Sequence, residues 1–250
     1  ELPWDFLDEN GVLQVGFYRG FVMGKKMNHI RYSKGYLLFF IVIGLHNCGP
    51  NKNYQMIAAA EYGTLEDVKK FIKKGADVNA IDPAGRTAIS YAAEKCKMEI
   101  AKYLIEIGAN LNVSDRNGFT PIFWLAYGKC QDSAIFNLLV QNGKSPSDTT
   151  VTGETLLMAF SFANDTSAVR YLLEQGNDIQ KLSAWGQNAL HYAAGAGAND
   201  VVRMLINEGI DVSATDKSGQ TALQYAQVKK KYSTAELIRK LSNATEHIKH

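Results

Sequence analysis

Short stretches with apolar residues at helical spacing, each ended by a glycine, form the main pattern along this chain. Within residues 98–107 the apolar positions are Ile100, Ala101, Leu104 and Ile105. Spacings of three and four residues place them on one face of a helix, and Gly108 follows, where a helix end favours a left-handed backbone. Upstream, the small pair Ala92 and Ala93 lets a neighbouring helix come close. The pattern predicts two short helices over residues 82–114, with Thr87 capping the first.

This helix pair recurs along the chain at an almost constant interval. The glycine before the first helix falls at positions 85, 118, 153, 186 and 219, so the steps are 33, 35, 33 and 33 residues. A second glycine, which closes the second helix, falls at 75, 108, 143, 176 and 209 with the same steps. Two glycine series in one register indicate a stacked-repeat protein, because one such pair cannot bury its apolar face alone.

Within this period, four segments resemble the T-P-L-H-x-A-A signature of ankyrin repeats. They are RTAISYAA (86–93), FTPIFWLA (119–126), QNALHYAA (187–194) and QTALQYAQ (220–227). The segments GADVNAID (75–82), GANLNVSD (108–115) and GIDVSATD (209–216) are similar to the linker of that family. The resemblance covers roughly residues 53–241 and implies an all-α solenoid of about six stacked helix-turn-helix repeats.

The two glycine series place six repeats in an ankyrin domain at residues 54–241. Their approximate bounds are 54–81, 82–114, 115–149, 150–182, 183–215 and 216–241, followed by a tail at 242–250. The first lacks the signature, as expected of an end repeat. The third carries two extra residues near 128–133, and the fourth has Phe160 and Ser161 in place of the alanine pair. Such departures mark either function or drift without function.

Ahead of the repeats lies a segment with the features of a secretory signal peptide. Residues 23–34 carry four basic side chains and no acid, and residues 36–45 are an uninterrupted apolar run. This order is typical of such signals, and the run is shorter than the ~20 residues that cross a bilayer. Leu45, three residues before Cys48, resembles the lipobox of bacterial lipoproteins. That resemblance implies a signal peptide at 23–48, a lipidated Cys48 and a linker at 49–53.

Two features of this segment leave a second interpretation open. His46 and Asn47 stand where lipoprotein signals prefer small residues, and residues 1–22 precede the segment. Residues 1–22 are unassigned and could be absent from the mature protein. In the second interpretation, residues 36–45 form a buried strand or helix that caps the first repeat.

Composition and motifs argue against several classes of function. The formal net charge of +2 lacks the strong basic bias of a dedicated nucleic-acid binder, and three cysteines are too few for a disulfide framework. No P-loop, G-x-S-x-G or H-E-x-x-H sequence occurs, so we expect no catalysis, metal or cofactor. His191 keeps the signature histidine, which in the family hydrogen-bonds the neighbouring linker and is structural.

Two of the cysteines, Cys96 and Cys130, occupy similar places after the first helices of adjacent repeats. In an exported protein they could form a disulfide across the stack, which requires Cα atoms within ~7 Å. Adjacent repeats are usually spaced a little wider, so only the insertion near Cys130 allows this pairing. Otherwise both are buried free thiols.

The ankyrin family recognises its partners through residues beside the turn glycine and residues that end the first helix. By this resemblance, the partner-binding residues are Arg86, Arg116, Asn117, Phe119, Tyr127, Glu154, Phe162, Trp185 and Gln187. Four of them are large aromatics at positions that normally face solvent, and aromatics dominate interface energetics. These rings either line a partner groove over repeats two to five or pack against one another.

Together these features predict a monomeric, non-catalytic module that binds a partner protein, and no nucleic acid, on the concave face of the array. The signal-like segment favours a lipid-anchored protein of a bacterial cell envelope or periplasm. One alternative is a cytoplasmic regulator or a secreted, host-targeted effector. Another is the non-catalytic part of a larger enzyme.

Overall fold

The computed structural model describes residues 51–128, 130, 132–143 and 149–248, with the backbone alone for residues 244–248. Residues 1–22, the predicted signal peptide at 23–48 with Cys48, and the start of the linker at 49–53 lie outside the described residues. Their assignments stay predictions.

Twelve helices occur in the described residues, as six consecutive pairs. The pairs are α1 Lys52–Tyr62 and α2 Leu65–Lys73, α3 Ala88–Glu94 and α4 Met98–Glu106, α5 Pro121–Tyr127 and α6 Ser133–Asn142, α7 Leu156–Ala163 and α8 Thr166–Glu174, α9 Ala189–Ala196 and α10 Asn199–Asn207, α11 Ala222–Val228 and α12 Tyr232–Ile248. Each first helix packs on the next first helix and each second helix on the next second helix, which gives two layers. The predicted all-α solenoid of about six helix pairs is confirmed.

Polar side chains decide where several helices begin. Asn51 accepts a hydrogen bond from the backbone N–H of Asn53 at 2.9 Å, so α1 begins inside the segment predicted as a linker. Capping boxes begin four other helices, at Thr64, Thr155, Asn188 and Thr221. Thr87 is the N-cap residue of α3, as predicted, but it makes no capping hydrogen bond, because its hydroxyl pairs with the hydroxyl of Ser90 at 3.0 Å instead.

Small and apolar side chains fill the space between the repeats. The pair Ala92 and Ala93 is fully buried, and so is Leu104 of the predicted apolar stripe. In the fourth repeat, Phe160 replaces an alanine and is buried with its ring 5.2 Å from that of Phe136, edge to face. This departure from the repeat pattern therefore serves packing between the third and fourth repeats.

The turns before the first helices are joined to one another by main-chain hydrogen bonds. In each case a backbone N–H of one turn donates to a carbonyl oxygen of the turn before it, at 2.7–3.1 Å. The four bonds run from Arg116 to Ala84, from Val151 to Asn117, from Ala184 to Thr152 and from Lys217 to Trp185. Each carbonyl precedes a turn glycine in the left-handed region, such as Gly118 with φ of 84°. A Cβ on Gly118 would lie 2.8 Å from the backbone N of Val151, so glycine is needed for this approach. The turns thus form a continuous hydrogen-bonded row.

The end of α5 lies directly against the end of α3. A Cβ on Gly128 would lie 2.0 Å from the carbonyl oxygen of Glu94, where no side chain fits. The equivalent positions in other repeats are Lys95, Ala163, Ala196 and Lys229. Gly128 therefore permits an approach between the second and third repeats that a larger residue would prevent.

We expect Gly128→Ala to lower the free energy of unfolding by about 1–3 kcal/mol, because the added methyl overlaps a backbone atom and α5 must shift. Gly195→Ala is the matched control, since Gly195 lies in α9 and its Cβ would meet only a ring carbon of Tyr225 at 3.6 Å. This change should be neutral or stabilising by up to ~1 kcal/mol. Urea unfolding followed by circular dichroism measures both variants, and equal stability would contradict the inferred approach.

Candidate protein-binding face

A row of exposed side chains follows the tips of the turns. We call it the tip row, and its members are Ala84, Arg116, Asn117, Val151, Trp185 and Lys217. Beside it, the ends of the first helices carry further polar and aromatic residues, among them Glu94, Tyr127 and Phe162. The tip row and these helix ends together form the candidate face.

Each turn is held by one side-chain oxygen three positions before its glycine. The residues that provide it are Asp82, Asp115, Thr150, Ser183 and Asp216. In every turn this oxygen accepts the backbone N–H four residues later, and in four turns also the N–H two residues later, at 2.8–3.3 Å. These residues were not predicted, although an oxygen-bearing side chain at a fixed distance from each glycine was a visible signal.

Arg86, a predicted partner-binding residue, lies between two aromatic rings. Its guanidinium carbon is 3.7 Å from the ring centres of both Tyr91 and Trp124, and it pairs with Glu94 at the end of α3. Although burial opposes the shift, hydrogen bonds from Lys95 and Arg86 lower the pKa of the Glu94 carboxyl. Only 12% of the Arg86 side chain is exposed, so this residue chiefly joins the second and third repeats.

Three of the four predicted aromatic contacts pack against one another. The ring of Phe119 lies 5.4 Å from that of Tyr127, edge to face, and the ring of Tyr127 lies 5.8 Å from that of Phe162. All three residues are half-buried. Trp185 differs, because 60% of it is exposed. Three of the rings therefore pack against one another, whereas the ring of Trp185 is left open to solvent.

Glu154 and Gln187, two further predicted contacts, bind neighbouring repeats. The hydroxyl of Tyr127 donates to the buried carboxylate of Glu154. Burial raises the pKa of Glu154, and the hydrogen bond from Tyr127 offsets only part of that rise. Burial and the nearby carboxylate also raise the pKa of Tyr127. The amide of Gln187 donates to the hydroxyl of Tyr225, so both residues link successive repeats.

Three of the nine predicted partner-binding residues are exposed, namely Arg116, Asn117 and Trp185. The other six are half-buried or buried. The other three members of the tip row are not among the nine: Ala84, Val151, which is 72% exposed, and Lys217. Val151 and Lys217 lie two positions before a turn glycine, as Arg116 does, so that offset carried along the repeats would have found them.

The buried His191 has the structural role predicted for it. Its Nε2 lies 3.1 Å from the carbonyl oxygen of Gln220 in the next turn, and burial lowers its pKa. Within the part of the chain that the structure describes, no group of three or more His, Cys, Asp or Glu residues could hold a metal ion. Among the helices described, none has the length and apolar character needed to cross a membrane.

A disulfide joins Cys96 and Cys130, whose Cα atoms are 5.5 Å apart. The bond lies next to the close contact between Gly128 and the end of α3. Cys96 is exposed and has a φ of 55°, at a position where later repeats have Asn164, Gly197 and Lys230, all at positive φ. Asparagine and glycine tolerate the left-handed region well, whereas Cys96 and Lys230 are held there by the turn between the two helices. The bond ties together the ends of α3 and α5, which belong to the candidate face.

Comparison with known proteins agrees with this architecture. The family model of ankyrin repeats (3 copies) matches residues 56–150, 124–216 and 156–248. These matches cover most of the chain, and the chain therefore belongs to the ankyrin-repeat family, whose repeats mediate protein–protein interaction. No curated protein sequence shows a significant match.

One similar solved structure is a complex of two proteins. It is described as "Bd0816 Predatory Endopeptidase from Bdellovibrio bacteriovorus in complex with immunity protein Bd3460". One of its chains is 29% identical to this protein, with a TM-score of 0.63, and the match covers 74% of this chain and 97% of that one. Because 597 chains of solved structures match, the fold alone does not single out a partner.

We expect reduction of the disulfide to lower the free energy of unfolding by about 2–4 kcal/mol. The bond joins residues separated by 34 positions and so restricts the unfolded chain. Chemical denaturation with and without dithiothreitol measures the difference, and Cys96→Ala, which should not respond to the reductant, is the control. Reactive thiols at both positions in oxidised protein, located by peptide mass mapping, would rule the bond out.

Proposed function

We propose that this protein is a non-catalytic recognition module that binds a folded partner protein on the candidate face. The proposal is carried mainly by the exposure of Trp185, which contrasts with the half-buried rings beside it. Tryptophan is among the residue types that most often dominate binding energy in interfaces.

The backbone at Trp185 is held on both sides. The N–H of Ala184 donates to the carbonyl of Thr152 at 2.7 Å, and the carbonyl of Trp185 accepts the N–H of Lys217 at 2.9 Å. A large ring on a fixed backbone has little conformational freedom to lose on binding. Val151, 72% exposed on the preceding turn, extends the apolar contact.

The solved complex gives support for the kind of partner. There an endopeptidase is bound to an immunity protein, and the similarity extends over nearly all of the matching chain. We infer that this protein likewise binds another protein, and we propose that it does so as a monomer with an enzyme as its partner.

The proposed site of action is a bacterial cell envelope, with the protein exported and held by a lipid on Cys48. The signal-like segment at 23–48 supports this proposal. The disulfide between Cys96 and Cys130 supports it independently, because disulfides persist in oxidising compartments and are rare in the cytosol. A cytoplasmic protein would keep both thiols reduced.

We expect Trp185→Ala to weaken partner binding about 30-fold or more, which corresponds to the ~2 kcal/mol of an interface hot spot. Binding is measured by capture of envelope proteins from the source organism, followed by titration of the partner so identified. Tyr232→Ala is the matched control, because Tyr232 is 70% exposed at the start of α12, in the other helix layer. Phe119→Ala is less suitable, since its ring packs within the protein. Unchanged affinity of the Trp185 variant, folded by circular dichroism, would refute the proposed face.

For export, we expect the protein produced in a bacterium to begin at a diacylated Cys48. Intact mass and metabolic labelling with a fatty acid measure this, and Cys48→Ala, which cannot be acylated, is the control. A chain that retains residues before Cys48 and carries no lipid would exclude the lipoprotein proposal. It would favour a cytoplasmic protein in which residues 36–45 pack on the first repeat.

A further inference from the structure

From the second repeat onward, the acidic side chains of the turns and of the adjoining candidate face have partners within the protein. Glu94 pairs with both Arg86 and Lys95, and Glu154 is buried against the hydroxyl of Tyr127. The turn carboxylates, which belong to Asp82, Asp115 and Asp216, accept backbone N–H groups of their own turns. No member of the tip row is acidic. These turn carboxylates stay ionised, but their hydrogen bonds direct them to their own turns, so the formal charges of the tip row itself are all positive.

The cations of the tip row, in contrast, are not neutralised. Arg116 and Lys217 are exposed, and neither forms an ion pair with any residue that the structure describes. Their backbone N–H groups donate to the carbonyls of Ala84 and Trp185 in the neighbouring turns. The hydrogen-bonded row of turns thus fixes the backbone positions from which both charged side chains extend.

Between these two cations the tips are apolar or uncharged. Val151 and Trp185 are 72% and 60% exposed, and the residues beside them on the tips, Thr152 and Ala184, carry no charge. Along the row the order is cation, aliphatic, aromatic, cation. An apolar centre with a charged rim is the usual arrangement of a protein-binding surface.

Resting on the proposed function, we propose that the tip row recognises an acidic protein surface. The partner presents an apolar contact for Val151 and Trp185, with carboxylates on either side opposite Arg116 and Lys217. Unpaired cations at the rim steer an acidic partner toward the face and disfavour a basic one, while the apolar centre provides affinity. A nucleic acid fits less well, because two separated cations neutralise few phosphates and the apolar centre would face the backbone.

The probe for this proposal is a phage-displayed library of random linear peptides of about 15 residues, which span roughly 50 Å when extended. The library is selected on the immobilised full chain and eluted with free protein. We expect the selected peptides to contain an aromatic or aliphatic residue flanked by Asp or Glu. Their affinity for the double variant Arg116→Glu, Lys217→Glu should be at least about tenfold lower than for the unchanged protein. Their affinity for the unchanged protein should also fall as salt is added.

The matched control reverses two exposed lysines on second helices, as Lys102→Glu with Lys240→Glu. This variant has the same net charge as the test variant, so it should keep the affinity within about twofold if position on the tip row matters. Circular dichroism checks that both variants are folded.

The outcomes separate this inference from the proposed function. Suppose that the selected peptides lose affinity on Trp185→Ala. If they are neutral or basic, or do not respond to the tip-row reversal, the proposal of an acidic partner is refuted, while the proposed binding face stands. Peptides that ignore both changes, or a selection without binders, count against the face itself. Tighter binding of a random single-stranded oligonucleotide, abolished by the same reversal, would replace the acidic protein with a nucleic acid.

Discussion

A single helix pair of this protein cannot bury its apolar face by itself, and the rest of the structure follows from that constraint. Fully buried alanines such as Ala93 and Ala194 let successive first helices come into contact. Turn glycines let the backbones of successive turns approach and hydrogen-bond at the same interfaces. Packing and main-chain hydrogen bonding therefore reinforce each other at each step from the second repeat to the sixth.

The same constraint divides the polar residues of the candidate face into two groups. Residues just after a turn glycine contact other residues of the stack: Arg86 meets Trp124 and Gln187 meets Tyr225 in the next repeat. Glu154 meets Tyr127 in the preceding one. A residue one or two positions before the glycine lies outside that interface, as Arg116 and Trp185 do. Proximity to the glycine therefore does not by itself make a residue available to a partner.

The regular part of the structure was predictable because it depends on period and local pattern. The glycine series gave the repeats, the spacing of apolar residues gave the buried stripe, and the signature gave the role of His191. What was missed depends on contacts across an interface or on competition within one turn. Thr87 has the sequence of a cap, yet Ser90 offers its hydroxyl a different partner. The disulfide between Cys96 and Cys130 lies beside the contact of Gly128 with the carbonyl of Glu94, a contact between repeats that the sequence of one repeat does not reveal.

This separation of fold from face explains how a common solenoid can acquire a particular partner. The carbonyl of Trp185 belongs to the row of hydrogen-bonded turns, but its indole ring is mostly exposed. Many side chains at that position would leave the main-chain bond to Lys217 unchanged. The stack therefore places little constraint on the identity of the tip residues, whereas a bound partner would constrain it strongly. An exposed tryptophan next to an exposed valine, with a cation on either side, adds little to the packing of the stack, and the proposed partner surface would account for it.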